Sequence, residues 1–215
     1  MQFYEKKLVF STVYILFNSF LPAIFWILLI FGFEEPWIAV TTLLSALIHE
    51  CGHVCYITLF AGSSHRLRAV GNGLRSKTVG SLSYREERMT YLSGPLANLL
   101  TFVACFVICL IFRREGDGFL LCFGIINLAT ALSNLMPIEG YDGYGIIRSL
   151  IEEREMGGGI LRALTAISAA LTFILCILSL YLIDRYSGGY WLFAVFFVSM
   201  IKHFDKSLSK QKNEI

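Results

Sequence analysis

The sequence predicts an all-α polytopic membrane protein with about six transmembrane helices. Of its 215 residues, 56% are apolar and only 16% are charged, whereas a soluble domain is about 25% charged. The mean hydropathy is +0.65, and apolar stretches long enough to cross a bilayer occupy most of the chain. An ordinary soluble domain and a disordered chain are therefore excluded. We expect one integral-membrane domain over residues 1–215, set in a lipid bilayer.

Runs of about 20 apolar residues define the predicted helices. These runs lie near residues 8–32, 37–61, 90–112, 119–137 and 158–183, with a shorter one near 189–204. If both termini are cytosolic, 15 of the 18 Lys and Arg residues lie on the cytosolic side. This bias follows the positive-inside rule and favours six spans. A net charge of +2 is too small to predict nucleic acid binding.

The longest polar connection, about residues 62–89, is expected to lie on the cytosolic face because it carries six of the basic residues. Residues 67–70 and 78–84 are typical of two short strands, and residues 71–77 separate them. We interpret this connection as a short β-hairpin on the membrane surface whose edge could pair with a substrate. A solvated basic loop is the alternative.

The second predicted span contains three ionisable residues, His49, Glu50 and His53, in an otherwise apolar helix. Such groups cost roughly 2.5–3.5 kcal/mol each at membrane depth and so indicate function. Residues four apart project from one helix face, so both imidazoles can reach one metal ion. Glu50, about 100° further round the helix, can approach a water molecule beside that metal. The alternative is a pair of buried histidines whose polar atoms are satisfied by neighbouring groups.

A catalytic zinc site usually has three protein ligands, so a third ligand must come from another segment. Asp142 is the candidate, because it follows the fourth span, which runs in the same direction as the second. Pro137 interrupts helical hydrogen bonding, and non-helical backbone at membrane depth is tolerated where it is buried or lines a cavity. Glu139 is the rival ligand. An ordinary surface turn is the alternative reading of Asp142.

Three motifs resemble the site-2 protease family of intramembrane zinc metalloproteases. They are H-E-x-x-H at 49–53, G-P-x-x-N at 94–98 and N-x-x-P-x-x-x-x-D-G at 134–143. The resemblance covers about residues 40–150 and implies a three-helix catalytic core over about 37–150. The six-span layout is similar to that of the compact prokaryotic branch of the family, which includes the sporulation sigma-factor processing protease. Tyr141 departs from the family pattern, and we expect no PDZ or CBS regulatory domain.

The resemblance also implies the roles of individual residues. One Zn²⁺ per chain would be bound by three ligands, His49, His53 and Asp142. Glu50 would be the catalytic acid and base, Asn134 and Pro137 would frame the substrate, and Asn98 would support the core. The implied activity is hydrolysis of a peptide bond in a membrane-tethered protein near the cytosolic face of a bacterial cell membrane. A regulatory membrane partner is also expected.

Two other classes of function stay open at this point. One is a non-proteolytic membrane zinc protein that binds or chaperones a client, and the other is a metal transporter. Glu50 argues against the first, because a purely structural zinc site needs no free carboxylate beside its ligands. A transporter would carry polar residues through several spans, whereas here they gather at one depth.

Overall fold

The structure, a computed structural model, describes residues 32, 35–60, 65–70, 73–78, 82–112, 118–186, 193 and 195–201. The helices in this part of the chain are α1 (Pro36–Phe60), α2 (Tyr84–Ile111), α3 (Gly118–Asn134), α4 (Asp142–Glu153) and α5 (Gly158–Tyr186). Residues 195–201 are also helical. The all-α class is therefore confirmed, and α1, α2, α3 and α5 coincide with four of the predicted spans.

Three of the described helices are long and apolar enough to cross a membrane, namely α1, α2 and the part of α5 over Gly158–Arg185. The fourth apolar helix, α3, is shorter, with 17 residues. The predicted span at 8–32 and much of that at 189–204 lie outside the described residues. A total of six spans thus stays a prediction.

Helix α2 begins six residues before the predicted span, and a capping box explains why. The Ser83 backbone N–H donates to Oε2 of Glu86 over 2.9 Å, and the Glu86 N–H donates to Oγ of Ser83 over 3.3 Å. These two bonds satisfy backbone donors that a helix start leaves unpaired. The helix can therefore start among polar residues, ahead of its apolar stretch.

Two short strands join α1 to α2, and their bounds correct the sequence prediction. Strand β1 (His65–Val70) pairs antiparallel with β2 (Gly73–Thr78), with Val70 opposite Gly73. The predicted second strand at 78–84 was wrong, because α2 already begins at Tyr84. A two-residue Gly-Asn connection is short enough to pair residues 73–78 directly with β1. The location of this hairpin at a membrane surface stays a prediction.

Helix α2 is central, because it packs against α1, α3 and α4. The described interior is unusually polar, with six polar residues that are 0% exposed: Thr41, Ser45, Asn98, Asn127, Ser168 and Thr172. Large apolar side chains point outward instead. Small and polar residues are typical of helix interfaces in membranes, because lipid tails solvate the apolar side chains as well as a protein core would.

Gly52 brings α1 and α2 close together. A Cβ atom at this position would lie 2.5 Å from the backbone oxygen of Ser93 and 2.9 Å from Cβ of Ala97. Neither of these atoms can rotate away, so any side chain here would force the helices apart.

We expect Gly52→Ala to destabilise the protein by about 1–3 kcal/mol, which is typical of overpacking. The midpoint of thermal unfolding in detergent measures the effect. Gly159→Ala is the matched control, because Gly159 lies in a helix and a Cβ atom there would meet nothing within 4 Å. Equal unfolding midpoints for the two variants would contradict the close approach at Gly52.

Candidate metal centre

The structure brings His49, His53 and Asp142 together. Nε2 of His49 lies 3.0 Å from Oδ2 of Asp142, and Nε2 of His53 lies 3.4 Å from the same oxygen. The two Nε2 atoms are 3.2 Å apart. His49 and Asp142 are buried and His53 is half-buried. Within the described residues, these three form a group close enough to hold one metal ion.

The partners of the other ring nitrogens determine which atoms face this centre. Nδ1 of His53 lies 2.7 Å from the backbone oxygen of Thr90. A carbonyl oxygen only accepts hydrogen bonds, so Nδ1 carries the proton and Nε2 of the neutral ring presents its lone pair. Nδ1 of His49 lies 2.9 Å from Oδ1 of Asn98, which places His49 in the same tautomer.

Three atoms with lone pairs available for a metal ion therefore converge at one point. Oδ2 of Asp142 is fully buried and accepts no hydrogen bond from any described residue. Two imidazole lone pairs and a carboxylate oxygen at this separation repel one another unless a cation lies between them. Two imidazoles and one carboxylate also form a known ligand set for catalytic zinc. The residues present thus fit a metal ion.

Asp142 is suited to act as an anion at this position. Burial raises the pKa of its carboxyl, but hydrogen bonds from His49 and His53, and the charge of these rings when they are protonated, outweigh that effect and hold the pKa below its usual value. Asp142 also lies in the first turn of α4, where the helix dipole favours negative charge. The carboxylate is therefore ionised at neutral pH.

Glycines provide the space in which the ligands meet. A Cβ atom on Gly94 of α2 would lie 2.6 Å from Nε2 of His53 and 2.8 Å from Cε1 of His49. A Cβ atom on Gly143 would overlap the backbone oxygen of Leu135, and one on Gly145 would lie 2.5 Å from the Tyr91 ring. Two helices therefore approach the site closely only because these positions lack side chains.

Solved structures show a likeness over nearly the whole chain. The structure titled "Site-2 Protease from Methanocaldococcus jannaschii" has a TM-score of 0.57, and the match covers 88% of each chain. The fold is that of a site-2 protease. Sequence identity is 18%, so the likeness establishes the fold and leaves the activity to be argued from the site. No protein-family model and no curated protein matches the sequence.

Two other predicted residues, Glu50 and Glu139, lie outside the ligand group. Glu50 is half-buried beside His49, and its charge interacts with both histidines and Asp142. Glu139 is not in the ligand group; its backbone N–H donates to Oγ of Ser168 over 2.7 Å.

Asn98 contacts His49 directly, as described above. Nδ2 of Asn134 donates to the Thr130 oxygen in its own helix over 3.0 Å. Pro137 is half-buried in the non-helical segment 135–141. This segment confirms the predicted break in the helix.

Tyr141, where the sequence departs from the family pattern, contributes to packing. It lies against a buried cluster of Ile138, Cys176 and Phe196. Burial raises the pKa of its phenol to about 12, so the hydroxyl stays neutral. Tyr141 therefore fixes the backbone immediately before Asp142 against α5 and the 195–201 segment.

Three residues around the site were missed from the sequence: Ser45, Thr90 and Asn127. Thr90 acts through its backbone oxygen, which no sequence pattern reveals. Asn127 carried a usable signal, because a polar residue in an apolar span is costly. It also lies seven residues, about two helical turns, before Asn134 and so shares its face.

Asp142→Asn should abolish stoichiometric zinc binding, because it removes the anionic oxygen at the point where the ligands converge. Zinc content of the purified protein, measured by mass spectrometry of the element, checks this expectation. Glu139→Gln is the matched control and should retain zinc. The opposite pattern would identify Glu139 as the ligand.

Gly94→Ala should weaken zinc binding strongly, since the added methyl would displace both imidazole rings. Gly159→Ala, with open space around it, should leave zinc affinity unchanged. Zinc affinity measured by competition with a chromophoric chelator separates the two variants. Unchanged affinity in Gly94→Ala would contradict the crowding at the imidazoles.

Proposed function

We propose that this protein is a zinc-dependent intramembrane endopeptidase that hydrolyses a peptide bond of a membrane-tethered protein near the cytosolic face. One observation carries this proposal: His49 and His53, in a helix apolar and long enough to cross a membrane, converge with Asp142 from the start of α4, and Glu50 adjoins His49. The site-2 protease fold supports it.

In this proposal, His49, His53 and Asp142 hold one zinc ion and leave a position open. When bound, zinc supplies Lewis acidity that polarises the substrate carbonyl and makes water a stronger acid. Burial of Asp142 strengthens its interaction with a dication. Ferrous iron also accepts two histidines and one carboxylate, so metal content is part of the test.

Glu50 is the proposed general base and general acid. Its carboxylate lies outside the ligand group of the described residues, so it is available to accept a proton. A water molecule adds its oxygen to the peptide carbonyl carbon and gives its proton to Glu50. Glu50 then protonates the amide nitrogen as the C–N bond breaks. Proton transfer of this kind typically contributes about 10²–10⁴-fold to the rate.

Other parts of the proposal concern substrate and topology. Asn134 and Pro137 frame the substrate, because the non-helical segment 135–141 leads from α3 directly to Asp142. Asn98 supports the core through its contact with His49. We further propose cytosolic termini, a bacterial cell membrane and a regulatory membrane partner. A transmembrane substrate must unfold locally to reach the site, and the edge of the β1–β2 hairpin offers it backbone pairing.

Glu50→Gln should abolish cleavage while zinc stays bound, because the amide keeps the shape but cannot accept a proton. Membrane-protein fragments compared by proteomics in cells that express wild type or Glu50→Gln identify the substrate and measure the loss. We expect a decrease of at least about 10²-fold. Glu155→Gln, at an exposed position in the turn that follows α4, is the control.

The same comparison separates the function classes. A client-binding zinc protein would retain zinc and show the same fragments with and without Glu50. Full cleavage by Glu50→Gln would overturn the proposed mechanism. Removal of zinc with a chelator should stop cleavage, and re-addition of zinc should restore it.

A further inference from the structure

We propose that Asn127 is a positioning residue of the metal centre, which acts through Asn98 to set the ring nitrogen that His49 presents to the metal. The inference rests on the proposed function only in requiring that the site binds a metal ion. Asn127 lies on α3, a helix that contributes no ligand to the group described above.

The orientation of the Asn127 amide is fixed by a backbone group. Its Nδ2 donates to the backbone oxygen of Phe123 over 2.9 Å. Because that oxygen can only accept, the amide cannot exchange its nitrogen and oxygen without losing the bond. Oδ1 of Asn127 must therefore point away from Phe123 as an acceptor.

That acceptor and a backbone oxygen of α1 together orient Asn98. Nδ2 of Asn98 donates to Oδ1 of Asn127 over 2.8 Å and to the backbone oxygen of Ser45 over 3.0 Å. Both protons of this amide group thus have acceptors. Oδ1 of Asn98 is left to accept from Nδ1 of His49, 2.9 Å away.

The chain of bonds leaves His49 with one tautomer. Since Nδ1 holds the proton, Nε2 keeps its lone pair and faces Asp142. Asn98 and Asn127 are both 0% exposed, so water cannot replace a missing partner. Bonds from α3 to α2 and from α2 to α1 therefore connect the backbone of α3 to a metal-binding atom on α1.

The second histidine provides a contrast within the same site. His53 is oriented by the backbone oxygen of Thr90, which no substitution removes. His49 is oriented by a side-chain amide, whose own orientation depends on its neighbours. His49 can therefore be affected by substitution of a residue that bonds to Asn98, and Asn127 is such a residue on a third helix.

Asn127 could instead act only as a link between helices, and this reading predicts a different outcome. Interhelical hydrogen bonds in membranes contribute about 0.6 kcal/mol on average. A residue with that role alone would change the unfolding midpoint slightly and leave the metal site unchanged. A positioning residue must change the metal affinity and the state of the His49 ring.

Three variants test the inference in purified protein in detergent. Asn127→Leu fills a similar volume but removes all three hydrogen bonds of the amide, which join it to Phe123, Asn98 and Ser45. Asn127→Asp restores them, since a buried carboxyl stays protonated and can donate to Phe123 while accepting from Asn98. Thr172→Val on α5 is the matched control, because Thr172 is also fully buried and its hydroxyl donates within α5, to the backbone oxygen of Ser168.

We expect zinc affinity, measured by chelator competition at pH 6, to fall about tenfold in Asn127→Leu. Loss of a residue that orients a metal ligand typically lowers metal affinity by about 10–100-fold, and this effect is at the lower end of that range. Asn127→Asp and Thr172→Val should stay close to wild type. In proteins with ¹⁵N-labelled histidine, the Nδ1–H proton of His49 should exchange with water faster in Asn127→Leu only. If that variant does not fold, Asn127→Ser, which is too short to reach Asn98, carries the same expectation.

The outcomes distinguish this inference from the function on which it rests. Suppose that wild type binds zinc, and that Asn127→Leu, or Asn127→Ser in its place, keeps the wild-type affinity and the slow Nδ1–H exchange. The positioning role is then overturned, and the proposed function is not affected. If Thr172→Val loses as much affinity, the effect is general and the role is also overturned. Wild-type protein that binds no metal ion overturns the proposed function and the positioning role together.

Discussion

The repulsion among three atoms that carry lone pairs is the constraint on which this structure depends. Nε2 of His49, Nε2 of His53 and Oδ2 of Asp142 lie 3.0–3.4 Å from one another in a buried site. In water such groups would separate, because solvent would satisfy each of them better. Here α1, α2 and α4 hold them together, and Gly94 provides the space in which the two rings fit. The packing of these helices therefore sets the positions of the three ligand atoms.

A membrane environment explains how the protein can tolerate so polar an interior. The fully buried side chains between α1, α2 and α3 include Ser45, Asn98 and Asn127, and their bonds satisfy one another. Lipid solvates the exposed apolar faces of the helices, so association relies on close packing and hydrogen bonds. The same contacts that join the helices also orient His49. Packing and metal-site geometry therefore cannot be varied independently at these positions.

Much of this arrangement could be predicted from the sequence, and the remainder has physical causes. The length of the apolar runs located four helices, and the i, i+4 spacing of His49 and His53 placed both rings on one helix face. Asp142 followed from the need for a third ligand. The start of α2 and the bounds of β2 were missed because local hydrogen bonds, rather than hydropathy, set them. Asn127 was missed because its role depends on a contact with another helix.

The position of Asp142 depends more on close packing than on ion pairs. Arg88 of α2 and Glu153 at the end of α4 form an ion pair of 2.6 Å, but the Glu153 side chain is 41% exposed. Exposed pairs contribute only about 0–1 kcal/mol, and this pair lies eleven residues from Asp142. Gly143 and Gly145 instead place the first turn of α4 directly against the backbone of Leu135 and the ring of Tyr91. Loss of the ion pair would therefore loosen the far end of α4, whereas a side chain at either glycine would move the ligand itself.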